Sequence, residues 1–118
     1  MDCIGQQDLL SDVTKLDLPD DYADEITAIH LFEHIPVLKA QQTLQEWVRL
    51  LKPGGQLSLE MPCLDNIMQL WSQGVRNDDL IGRALFGMPE PETMRHHWCY
   101  SKQQIGDLMM RAGLKMVR

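Results

Sequence analysis

The densest group of chemically capable side chains is His30-Leu31-Phe32-Glu33-His34. Its spacing matches H-x-x-E-H, a zinc-protease pattern in which one helical face carries both imidazoles to a metal. Such a site needs the i, i+4 geometry of a helix. Here His30 closes a strand-like run and Pro36 suits a helix start, so the five residues straddle a strand end and a loop, and no metal is expected on them. His96-His97-Trp98-Cys99 is a second group with ligating side chains. Neighbours in an extended chain point apart and no other cluster adjoins it, so hydrogen-bonded loop histidines are expected there instead. Cys3, Cys63 and Cys99 are odd in number and share no C-x-x-C spacing, which reads as reduced thiols.

These residues have to be held by elements, and the sequence alternates strand-like and helix-like stretches. A short strand is expected around Asp8–Leu10, then a loop that turns at Pro19-Asp20-Asp21. Residues 25–31 form a β-branched and apolar run of the kind a buried parallel strand shows. Val37, Ala40, Leu44, Trp47, Val48 and Leu51 follow at helical spacing, and Lys52-Pro53-Gly54-Gly55 stops the helix. Residues 56–61 alternate as the next strand, so 25–61 reads as a right-handed βαβ unit.

Beyond it, a helix after Pro62 carries Leu64, Ile67, Met68 and Trp71, and Asn77 caps a second with Leu80, Ile81, Ala84 and Leu85. Residues 87–99 lack any period and read as loop. Ser101 with Gln104 forms a capping box for a last helix that ends at Gly113, and Leu114–Val117 reads as a further strand.

The 118 residues fit one domain, and 11 Lys+Arg against 17 Asp+Glu give a net charge of −6. Without a Lys/Arg cluster, that balance argues against nucleic acid or an anionic membrane as partner. No apolar run approaches the ~18–20 residues that cross a bilayer. The first residues show neither a basic n-region nor an apolar h-region, so a cytoplasmic location is expected.

Asp12, Leu18-Pro19, Asp24-Glu25-Ile26, His30 to Ile35 and Leu50-Leu51-Lys52-Pro53-Gly54-Gly55-Gln56-Leu57 occur in this order. The ordered set resembles the middle of class I S-adenosylmethionine-dependent methyltransferases, and Ala112-Gly113-Leu114 resembles that family's closing helix and strand. The resemblance implies an α/β fold: a partial Rossmann-like sheet of three to four parallel strands with flanking helices. Residues 1–118 would form a single truncated domain, with 62–99 inserted before the closing helix 101–113. By the same resemblance, Asp12 would hold the adenine amino group of S-adenosylmethionine, with Val13 packed beside it. His30 and Leu31 would line the cofactor floor. Phe32, Glu33 and His34 would face the methyl acceptor, with His34 the base where the acceptor arrives protonated; Phe32 and Trp98 read more readily as core or lid packing. No Asn/Asp-Pro-Pro-aromatic segment follows the strand, which implies an acceptor other than a nucleobase or amide.

The family's Gly-rich first turn and ribose-binding acid have no counterpart before Asp12. A strand 25–31 without its usual neighbour would expose an apolar edge, so a homodimer is expected through that edge or through helices 64–71 and 80–85. Three functions remain open at this point: a methyltransferase, a catalytically inactive remnant serving as a dimerising interaction module, or a binder of another small ligand at the strand ends.

Overall fold

The computed structural model describes residues 14–117, so the expected strand 8–10 and the residues Asp12 and Val13 lie outside it. Its centre is a βαβ unit: β1 (Ala23–Ile29), α1 (Ala40–Leu50) and β2 (Leu51–Glu60), with β1 and β2 parallel. Three further helices follow, α2 (Leu64–Ser72), α3 (Asp78–Phe86) and α4 (Lys102–Arg111). Among the described residues the sheet has two strands, against the three to four expected. Leu114–Val117 adopts no strand; Met116 and Val117 are exposed there and pair with neither β1 nor β2.

Helix α1 starts later than its apolar pattern suggests. Val37–Lys39 forms a 3-10 turn with Val37 exposed, and the buried stripe is Ala40, Thr43, Leu44, Trp47 and Leu50. Thr43 belongs to it because its hydroxyl donates to Lys39 O at 2.8 Å, so burial strands no polar group. This stripe packs on Ile26 and Ala28 of β1 and on Phe32, Ile35 and Tyr100.

Lys52-Pro53-Gly54-Gly55 was expected to separate helix from strand, but Leu51 enters β2 directly after Leu50. Ala23 pairs with Leu51 and Glu25 with Gln56, so Asp24 alone faces those four residues in a bulge. Gly54 sits there at φ +82°, and a Cβ on Gly55 would fall 2.9 Å from Lys52 O and 3.0 Å from Asp24 O. Gly54 supplies the positive φ and Gly55 the space a side chain would not have, and together they let the chain double up.

The sheet is also covered differently from the fully buried strand expected. Ile26, Ala28, Leu57 and Leu59 face the core, whereas Glu25, Ile29, Gln56, Ser58 and Glu60 on the other face are exposed. That face is mostly polar.

Arg49 on α1 fastens the segment leading into β1. It donates to Leu18 O (2.8 Å), Leu16 O (3.2 Å), Asp20 Oδ1 (2.7 Å) and both oxygens of Glu46, and Glu46 Oε2 accepts from Leu16 N–H. The Arg49 hydrogen bond holds the Glu46 carboxyl below its ordinary pKa. The capping box of α4 is present, and Asp65 Oδ2 accepts a further N–H from Lys102 at 2.7 Å, which ties α2 to α4 and lowers the Asp65 pKa. Among the described residues no helix is long and apolar enough to cross a membrane.

Candidate functional site

The site grows from the carboxyl end of β1. His30 N–H donates to Glu60 O at 2.7 Å, carrying the ladder one residue past the strand, and the backbone then turns sharply at φ +52°. A β-carbon makes that conformation unfavourable, so the surroundings have to hold it. The chain leaves the sheet into the 3-10 turn Phe32–His34, closed by His34 N–H to Leu31 O and Ile35 N–H to Phe32 O. Three residues per turn send Phe32, Glu33 and His34 in different directions.

Phe32, placed toward substrate by the resemblance but read from its residue type as core or lid packing, goes into the core. It is fully buried, with its ring edge-on to Trp47 at 6.0 Å and tilted against Tyr100 at 5.3 Å. Glu33 is only 2% exposed, buried despite being a carboxylic acid. His34 is mostly enclosed, and His30 is 65% exposed at its side chain.

The second wall comes from residues 87–99. Helix α3, capped by Asn77 Oδ1 accepting from Leu80 N–H at 3.0 Å, ends at Gly87 with φ +71° and ψ −154°. The chain folds back there: Met88 N–H reaches Met94 O, Gly87 bridges to Arg95, and His96 N–H donates to Phe86 O. His97 N–H then donates to Glu33 O at 2.7 Å and docks the loop onto the 3-10 turn.

Two imidazoles converge as a result. His34 Nδ1 lies 2.8 Å from Arg95 O, and His96 Nδ1 lies 3.1 Å from Ala84 O. A carbonyl only accepts, so each Nδ1 carries the hydrogen. The Nε2 atoms lie 4.0 Å (His34) and 3.9 Å (His96) from Glu33 Oε2, and His30 Nδ1 lies 3.7 Å from the same oxygen. The rings of His34 and His96 meet edge-to-face, 4.8 Å between centroids. Glu33 Oε1 is buried with no hydrogen-bond partner. Glu33, His34 and His96 thus offer ligand atoms all within 4.8 Å of one another.

The sequence treats the two histidine groups separately and expects nothing beside His96. The structure corrects this: Glu33-His34 is the cluster that adjoins it. The i, i+4 pair His30/His34 does not form on a helix, as expected. Gly87 was missed as a site residue because the space it leaves open is filled by atoms of Met94 and His96, which no local pattern reveals.

Trp98 is 46% exposed, donates from Nε1 to Gln104 Oε1 at 3.3 Å and lines a cleft of about 260 Å³ with Val37, Tyr100 and Leu108. It is a surface residue, not a core one. Burial pushes the Cys99 thiol and the Tyr100 hydroxyl above their ordinary pKa values, which makes Cys99 a poor nucleophile.

Residues 4–118 match the family described as Methyltransferase domain. The chain belongs to this family. No curated protein matches it. In this methyltransferase domain, His30 to His34 lie at the carboxyl end of a parallel strand, which is where open parallel sheets bind their ligands.

Proposed function

We propose that this methyltransferase domain transfers methyl from S-adenosylmethionine to a small-molecule or other non-nucleic-acid acceptor. The supporting observation is the strand end itself: a histidine at φ +52° that turns the chain away and leaves its side chain 65% exposed above β1. This open end fits the cofactor floor that the resemblance assigns to His30 and Leu31; the same resemblance assigns the adenine contact to Asp12 and Val13. When bound, S-adenosylmethionine supplies a methyl on a sulfonium that leaves readily, so positioning provides most of the acceleration.

His30 is better placed than His34 to take a proton from the acceptor. Its exposed ring has Glu33 Oε2 behind Nδ1 at 3.7 Å to stabilise the imidazolium, whereas His34 donates from Nδ1 to Arg95 O and has Nε2 turned to Glu33. The net charge of −6 and the free thiols Cys63 and Cys99 support a non-nucleic-acid acceptor and a cytoplasmic location. Isothermal titration with S-adenosylhomocysteine tests the proposal. One site is expected, weakened by Asp12→Ala; no heat and no thermal shift at millimolar ligand would refute it.

A second reading, an inactive remnant that dimerises, is favoured by one observation. Met68, Trp71, Leu80 and Phe86 on α2 and α3 are 41–69% exposed. Light scattering showing a monomer at high micromolar concentration would dispose of it.

A further inference from the structure

We propose that Glu33, His34 and His96 form a binding site for a divalent cation of the zinc class. Methyl transfer uses the Glu33 carboxyl only through the 3.7 Å approach of Oε2 to His30 Nδ1 and gives no role to Oε1 or to the facing Nε2 atoms of His34 and His96. The carboxyl is 2% exposed, Oε1 has no partner, and the three ring nitrogens around Oε2 stand at 3.7–4.0 Å, beyond hydrogen-bond length. Burying a carboxyl without hydrogen bonds is costly, and groups so placed are usually paired or bound to metal.

The imidazoles supply what is missing. Each donates its Nδ1 hydrogen to a backbone carbonyl, Arg95 O for His34 and Ala84 O for His96. That leaves both Nε2 lone pairs on the side of the carboxyl. Without an ion, two lone pairs and a carboxyl oxygen oppose one another; with one, all three become ligands. Backbone carbonyls that fix the tautomer are the usual outer partners of metal-binding histidines. Two imidazoles and one carboxylate suit zinc rather than calcium or magnesium, which prefer oxygen.

Zinc bonds of about 2.0–2.1 Å in a tetrahedron set donor atoms roughly 3.3 Å apart. The 3.9 and 4.0 Å to Glu33 Oε2 have to close by well under 1 Å, and the ligand atoms as a set, all within 4.8 Å of one another, by up to about 1.5 Å, which rotation of the three side chains has to supply. Three protein ligands leave a position open, and the exposed His30 has its Nδ1 3.7 Å from the same Glu33 oxygen.

The test uses the full chain, stripped with chelator and titrated with Zn2+ alone, so its outcome does not depend on S-adenosylmethionine. Calorimetry should give one Zn2+ per chain, and Co2+ in its place should show the visible absorption of a four-coordinate nitrogen–oxygen site. His96→Asn keeps an amide donor for Ala84 O but removes Nε2; it and the isosteric Glu33→Gln should each weaken binding by at least the ~10–100-fold that losing an outer-shell partner costs. If His96→Asn loses its fold by circular dichroism, His34→Asn replaces it in the comparison. No Zn2+ binding, or binding that survives these variants, overturns the proposal. So does binding that vanishes only in a Cys63→Ser/Cys99→Ser double variant, which would place the ion on thiols.

Discussion

Gly87→Ala should be the most damaging single-methyl addition in the domain. At φ +71° and ψ −154° Gly87 occupies a region open essentially to glycine alone, and forcing another residue there costs about 1–3 kcal/mol. The added Cβ would also lie 2.2 Å from Met94 O, 2.8 Å from His96 Cδ2 and 2.9 Å from His96 N. Two of those atoms are backbone, so the hairpin itself has to move, at a further ~1–3 kcal/mol. The sum, about 2–6 kcal/mol, is a large part of the ~5–15 kcal/mol that holds a typical domain together. The displaced part carries His96, so Zn2+ affinity should fall together with stability. Urea denaturation followed by circular dichroism measures the first effect, and Zn2+ calorimetry the second. A Gly87→Ala protein with wild-type midpoint and wild-type Zn2+ affinity would refute both the steric argument and the role given to this turn.

Gly82 in α3 and Gly106 in α4 offer the opposite case. A Cβ at either meets nothing within 4 Å, so Gly82→Ala and Gly106→Ala should each stabilise by about 0.5–1 kcal/mol, seen as a higher thermal midpoint. Arg49→Met should lower the urea midpoint, because it frees Leu16 O and Leu18 O and removes the guanidinium from Glu46, which keeps only Leu16 N–H. Glu46 also predicts a pH dependence. Its folded pKa lies below the unfolded value, so its contribution is full above the unfolded pKa and is lost as pH falls through the folded one. The stability gap between wild type and Glu46→Gln should therefore narrow on acidification, and a gap that widens would contradict the pairing with Arg49.

The βαβ unit was legible in the sequence because its signals are local. The stripe Ala40, Leu44, Trp47 repeats at helical spacing, and Ser101 with Gln104 encodes a cap within four residues. Elements that depend on a distant partner were misread. Residues 114–117 have the composition of a strand, but composition supplies no edge to pair with. Thr43 looks like a break in the buried stripe until its bond to Lys39 O is seen. The site suffered most. Glu33 and His96 meet because His97 N–H finds Glu33 O, and His34 Nδ1 finds Arg95 O, across about sixty residues, and neither histidine group by itself shows the other in the sequence. For Phe32 the resemblance pointed to substrate and the residue type to core or lid packing, and the 3-10 turn directs it onto Trp47 in the core.

The polar face of the sheet limits how two copies could meet. A twofold axis through that face would bring the exposed Glu25 and Glu60 of one copy near the same carboxylates of the other. Like charges would then oppose one another with no Lys or Arg among Glu25, Thr27, Ile29, Gln56, Ser58 and Glu60 to neutralise them. Symmetric stacking through the sheet face therefore sets like charges against one another, which favours a dimer contact elsewhere on the surface.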